Sequence, residues 1–163
     1  MNIFAFDKCP MQSALWLDDI RKNKMILESA QMLSTAVRTL CPDTDLGVYR
    51  VAYLNHPCSI WARKSRGNFK WLLSHMSHLF LQKDGRHKSA DLIPLFQQYA
   101  DHGQFEQEDL TEFANCARNQ ERGVDYSHYK DVHEAYRLYM NDRWKERNIT
   151  LTWRWGEQPE WKE

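Results

Sequence analysis

Apolar residues recur in steps of four and three through Ile26, Ala30, Leu33, Val37 and Leu40, a seam widened by Met25, Met32 and Ala36. That spacing is one stripe of an α-helix, in a helical pattern that sets in near Met11. Cys41-Pro42-Asp43 should end it, because proline cannot continue the hydrogen-bond ladder and disfavours helical angles at the residue before it. Ahead of the helix, Met1 to Phe6 alternates in the manner of a short strand or a tail anchored in the core. Val48 to Leu54, rich in β-branched and aromatic residues, reads as a strand or an extended connector. Asn55-His56-Pro57 is a helix start, with Pro57 in the first turn where its missing N–H costs nothing. Gly67-Asn68 should interrupt that helix, and Asn68 should cap a second one carrying Trp71, Leu72, Met76, Leu79 and Phe80. Asp84-Gly85 closes it as a turn.

Two shorter helices are expected over 88–101 and 106–118, around the loop His102-Gly103, and Arg122-Gly123 is a further turn. A long helix follows from Ser127, burying Tyr129, Val132, Ala135, Tyr136, Tyr139 and Met140 and weakening near Asn148. The tail holding Trp153, Trp155, Pro159 and Trp161 is irregular and should pack back on the body. The expected architecture is mainly α, one compact domain over 1–163 with five or six helices and a short N-terminal strand as an option.

Composition agrees with a folded domain: 163 residues, 42% hydrophobic and 13% aromatic, with seven Trp. The four cysteines (Cys9, Cys41, Cys58 and Cys116) contain no CxxC pair and no spacing of a zinc site. His75 and His78 offer two ligands on one helix but no third, so neither a metal nor another cofactor is expected. No run of eighteen apolar residues occurs, so no membrane partner is expected, and scattered thiols fit the cytoplasm.

Charge changes the picture. The zero formal net charge hides a window, 50–88, with eight Lys and Arg against Asp84 alone, followed by 89–134 with ten carboxylates against Arg118, Arg122 and Lys130. The basic stretch also holds His56, His75, His78 and His87 with Trp61, Phe69 and Trp71, a combination that attracts phosphates and can stack bases. His56, Trp61, Arg63, Arg66, Asn68 and Trp71 are therefore candidates for an anion site at a helix start. Arg86 and His87, after Gly85, are candidates for a phosphate-touching turn. Lys24, Glu28, Gln31, Thr35 and Arg38 form one polar line on the first long helix. The line is either a solvated face or a cleft wall with Lys24 and Arg38 on the ligand and Glu28 in proton transfer. Arg137, with Tyr136 and Trp144, could reach the same cleft from the late helix.

The strings K-M-I-L-E-S-A-Q-M-L-S-T-A (24–36), N-H-P-C-S-I-W-A-R (55–63), N-F-K-W-L (68–72), F-A-N-C (113–116) and E-A-Y-R-L-Y-M-N-D-R-W (134–144) resemble a family of small uncharacterised proteins of tailed bacteriophages and some bacteria. Where that family carries an Asp-Lys-His-like motif, this chain has Asp19-Ile20-Arg21 followed by Lys22-Asn23. More remotely the chain is similar to the pyrimidine-dimer DNA glycosylases of the endonuclease V type, compact helical enzymes with an N-terminal amine as nucleophile and a glutamate on an early helix. The resemblance implies Glu28 for the glutamate and Met1 for the amine, and Asn2, being bulky, should leave Met1 in place. Three functions are thus expected of a phage-encoded protein in the host cytoplasm: nucleic-acid or nucleotide binding through 50–88, base excision with Glu28 catalytic, or inhibition of a host protein through the acidic 89–134 surface.

Overall fold

A computed structural model describes residues 1–42, 47–83, 86–145 and 150–163. Six α-helices account for about half of these: α1 (Pro10–Leu15), α2 (Asp19–Leu40), α3 (Pro57–Lys64), α4 (Arg66–Leu81), α5 (Ile93–His102) and α6 (Val132–Lys145). A 3₁₀ turn, Lys88–Leu92, leads into α5, and two-residue strands β1 (Arg118–Asn119) and β2 (Val124–Asp125) pair antiparallel around Gly123. Gly123 has φ 66°, the left-handed region in which a side chain would be strained. The fold is mainly α, and no described helix is long and apolar enough to cross a membrane.

The seam of α2 is buried as its spacing requires, apart from half-buried Leu40 at the helix end. Helix α4 lies at the centre, with α1, α2, α3 and α5 all packed on it. Asp18 caps α2, its carboxylate taking the Arg21 N–H at 3.3 Å, the Arg21 guanidinium at 2.6 Å and the Trp144 indole N–H at 2.9 Å. It is fully buried, and these charge-assisted bonds offset its desolvation. The early break at Trp16 to Asp18 divides what the periodicity presents as one helix from Met11.

Met1 to Phe6 forms no strand; it is a buried tail threaded between helices, with Ile3, Ala5 and Phe6 fully covered. Phe4 sits edge-on to Tyr136 at 6.2 Å, and Arg137 Nε donates to Phe6 O at 2.9 Å. The aromatic tail does pack back, as Trp161 stacks on Trp144 at 5.3 Å and meets Phe6 at 5.3 Å. The connector 48–52 is extended without strand pairing, and the polar line of α2 holds it. Thr35 bonds both backbone groups of Ala52, while Arg38 donates to Tyr49 O at 2.7 Å and Val48 O at 2.8 Å. That line is not a solvated face.

Three expected boundaries move. The α3–α4 break falls at Ser65, whose hydroxyl caps α4 by taking the Asn68 N–H at 3.1 Å; Gly67 and Asn68 lie inside the first turn. Segment 106–118 is not helical, because its carbonyls serve α4: Arg66 N donates to Gln107 O and Gly67 N to Glu108 O, both at 2.9 Å. Gly67 is required there, since a Cβ would lie 2.3 Å from Leu110 N. The late helix begins at Val132 rather than Ser127, capped by the Asp131 carboxylate on His133 N (2.9 Å) and Glu134 N (3.2 Å). Asp43 of the expected helix stop, the Asp84-Gly85 turn and the fraying near Asn148 lie outside the described residues.

Candidate functional site

The buried tail, the first turns of α2, the start of α3, the 116–121 segment and α6 meet around a cleft of about 460 Å³. Asn2 shapes its floor: its side-chain oxygen accepts from Ile3 N (2.8 Å) and Phe4 N (3.1 Å), turning the backbone so that both first nitrogens face α2. Asn2 N donates to Glu28 Oε2 at 3.1 Å, and the Met1 α-amine lies 3.8 Å from the same oxygen. Glu28 is only 8% exposed, and its other oxygen faces Lys24 Nζ at 3.4 Å. A carboxylate is thus held inside the fold by one amide, one amine and one ammonium.

The walls are cationic. Arg21, Lys24, Arg118 and Arg143 line the cleft with the amine, against Glu28 and Glu121. Arg21 is fixed by Asp18, and Arg143 donates to the Tyr139 hydroxyl at 3.1 Å. Arg118, carried by β1 opposite Asp125, is exposed, and its guanidinium makes no hydrogen bond among the described residues. Such a surface favours an anion of phosphate type. A second groove of about 530 Å³ runs along 110–113 and 129–133, where Lys8 and Lys130 are balanced by Glu112 and Asp131.

His56 forms part of the wall, its Nδ1 taking the Cys58 N–H at 3.2 Å as the cap of α3. Burial, with the nearby amine and Arg118, lowers its pKa against the opposing pull of Glu28, so the ring is held neutral. Behind it, Cys58 Sγ donates to Cys116 Sγ at 3.5 Å. The bond to Cys116, together with complete burial, pushes the Cys58 thiol up; that same bond and the Arg118 charge pull Cys116 down. Cys116 is the more acidic of the two, and it faces the cleft.

Of the residues nominated from sequence, the cleft gathers Met1, Lys24, Glu28 and His56. The others stand elsewhere. Arg38 clamps the 48–52 connector, and Arg63 donates to Leu54 O at 2.7 Å. Arg66 pairs with Glu108 at 2.6 Å, donates to Gly103 O and lies over Phe105, so it ties the 103–110 loop to α4. Asn68 is fully buried, bonding Trp61 O and Thr111 Oγ1 at 2.8 Å each. Trp61 and Trp71 are core rings 5.8 Å apart, each about 5 Å from Phe113. Arg86 is exposed, and His87 caps the 3₁₀ turn and meets Asn23 O at 3.1 Å. Arg137 holds Phe6 O and stacks over Trp16, outside the cleft. In the acidic window Glu106, Glu108, Asp109 and Glu112 are exposed along the 103–112 loop.

Sequence reasoning passed over Arg21, Arg143, Arg118 and the two cysteines. His56-Pro57-Cys58 was the available signal, two ligand-type residues at one helix start, but its third member is 58 positions away in Cys116. No family model, curated protein or solved structure matches this chain. Fold and site together define a helical domain with one buried carboxylate, Glu28, set in a cationic cleft.

Proposed function

We propose that the cleft binds a phosphate-bearing nucleic-acid ligand and performs base excision on it, with Glu28 and the Met1 α-amine as catalytic groups. The observation that carries this reading is the 3.8 Å approach of the amine to Glu28 inside a cleft walled by Arg21, Lys24, Arg118 and Arg143. The cations neutralise backbone phosphates flanking a lesion. The amine nitrogen attacks the sugar C1′ while the C1′–N bond to the base breaks, and the base departs with that electron pair and takes up a proton. The C1′–O4′ bond then opens, its electron pair and a proton going to O4′, to leave the protonated imine that borohydride reduces. Glu28 receives the proton the amine sheds and stabilises the positive charge that develops on the sugar. Hydrated DNA backbone outside the cleft is not attacked, because only an extruded nucleotide reaches the buried amine.

The test is reductive trapping. With borohydride, the native chain should form a covalent adduct on dimer-containing or abasic DNA, and Glu28→Gln should fold normally yet lose it. The reading requires a free amine on Met1, which N-terminal sequencing of the protein checks. An adduct that persists when the N-terminus is extended by several residues would exclude the amine. Binding that is strong but yields no adduct on any lesion would leave the cleft as a nucleotide-binding pocket, the reading that the cationic wall supports by itself.

A further inference from the structure

Beyond the amine and the carboxylate, the cleft contains a ligand set that base excision does not use. His56, Cys58 and Cys116 each place one donor atom within 4.8 Å of the other two. The two sulfurs are 3.5 Å apart, close to the separation of about 3.7 Å that two thiolates take around a tetrahedral zinc with Zn–S near 2.3 Å. We propose that these three side chains bind one borderline-soft divalent cation of the zinc class, leaving its fourth coordination position open to the cleft.

The cluster is built rather than accidental. His56 and Cys58 are set by the capped start of α3, whose Pro57 fixes the chain at the first helical position. Cys116 is set from the other side: the Tyr136 hydroxyl accepts its N–H at 3.1 Å and donates to Ala114 O at 2.7 Å, and Tyr136 is fully buried. Such outer contacts orient metal ligands. Cys58 is closed off from solvent, whereas His56 and Cys116 line the cleft, so an ion would be dry on one side and open on the other. Three protein ligands with one free position is the arrangement of catalytic rather than purely structural zinc. Two thiolates balance the charge of the ion, and the neutral imidazole adds none. His56 Nδ1 now takes the Cys58 N–H at 3.2 Å, a long contact that an ion can displace. Binding transfers the two thiol protons to solvent, so affinity rises with pH.

This inference is independent of the base-excision reading, because its readout is metal affinity. Chelator-stripped, fully reduced protein is titrated with Co(II) as a spectroscopic stand-in for zinc. One equivalent should saturate an intense sulfur-to-cobalt charge-transfer band with tetrahedral visible bands, and Zn(II) should bleach them. Cys116→Ser and His56→Asn, the latter keeping a cap acceptor, should each weaken binding by at least the roughly 10–100-fold that loss of an outer partner costs. On the wild-type chain, Zn(II) should protect Cys116 from iodoacetamide while exposed Cys9 still reacts. Absence of the charge-transfer band, unchanged affinity in both variants, or unprotected Cys116 would each overturn the assignment.

Discussion

His75 gives the sharpest quantitative expectation. It is fully buried on α4, stacked on Trp71 at 5.2 Å, and neither ring nitrogen has a partner among the described residues. Burial, aided by nearby His78, lowers its pKa from 6.5 to about 3. A histidine with a lowered folded pKa stays neutral in the native state while the unfolded chain takes up a proton below pH 6.5. Stability is therefore present above that pH and is lost as pH falls from 6.5 towards 3. Between about pH 7.5 and pH 5 the loss from this one ring is about 2 kcal/mol. At a urea slope near 2 kcal/mol/M that moves the midpoint down by about 1 M. His75→Phe keeps a ring against Trp71 and removes the titration. It also relieves two unpaired buried nitrogens, while its added volume costs about 1 kcal/mol or more, and neither effect depends on pH. Urea unfolding of both proteins at the two pH values isolates the term, since His56 and His87 titrate alike in each. Equal pH dependence in the two proteins would refute the reasoning.

Gly67→Ala should destabilise by about 2 kcal/mol or more, because the added methyl meets the Leu110 backbone; a midpoint unchanged in urea would contradict the packing. Ser65→Ala should cost about 1 kcal/mol through the lost cap of α4, again read by urea unfolding. Arg118→Ala should weaken binding to a short oligonucleotide and reduce the salt slope by about 0.7–0.9, whereas Arg86→Ala should change neither, as read by fluorescence anisotropy over a salt series. Tyr126 donates to Asp142 at 2.6 Å, and that bond pushes its pKa up to about 12. Burial raises Tyr99 and Tyr136 as well, so in alkaline spectrophotometric titration Asp142→Asn should shift one of the late phenols down and leave the others.

The periodic elements were legible because their burial is local. The α2 seam and the Pro57 start of α3 follow from spacing and proline chemistry alone. What escaped depended on distant partners. Leu110, Phe113 and Ala114 have helix-like spacing, but their segment gives its carbonyls to the open end of α4, and nothing within 106–118 says so. The charge of 50–88 was visible, yet a count of cations cannot show that Arg66 is consumed by Glu108 and Gly103 O. Glu28 was singled out from its face and from the resemblance. Its surroundings were not, because Arg118 and Arg143 lie 90 and 115 positions further along the chain.

The threading of Met1 to Phe6 through the body has a consequence for biosynthesis. Residues of this early segment find partners that are made 128 and 155 positions later: Ala5 O meets His133 Nδ1 at 2.7 Å, and Phe6 meets Trp161. Met1 and Asn2 can already reach Glu28 on α2 and Ser59 on α3, but Phe4 and Phe6 lack their aromatic partners Tyr136, Tyr139 and Trp161 until α6 and the segment after it emerge. A chain stalled before α6 would therefore lack the Tyr139 and Arg143 wall of the cleft beside Glu28.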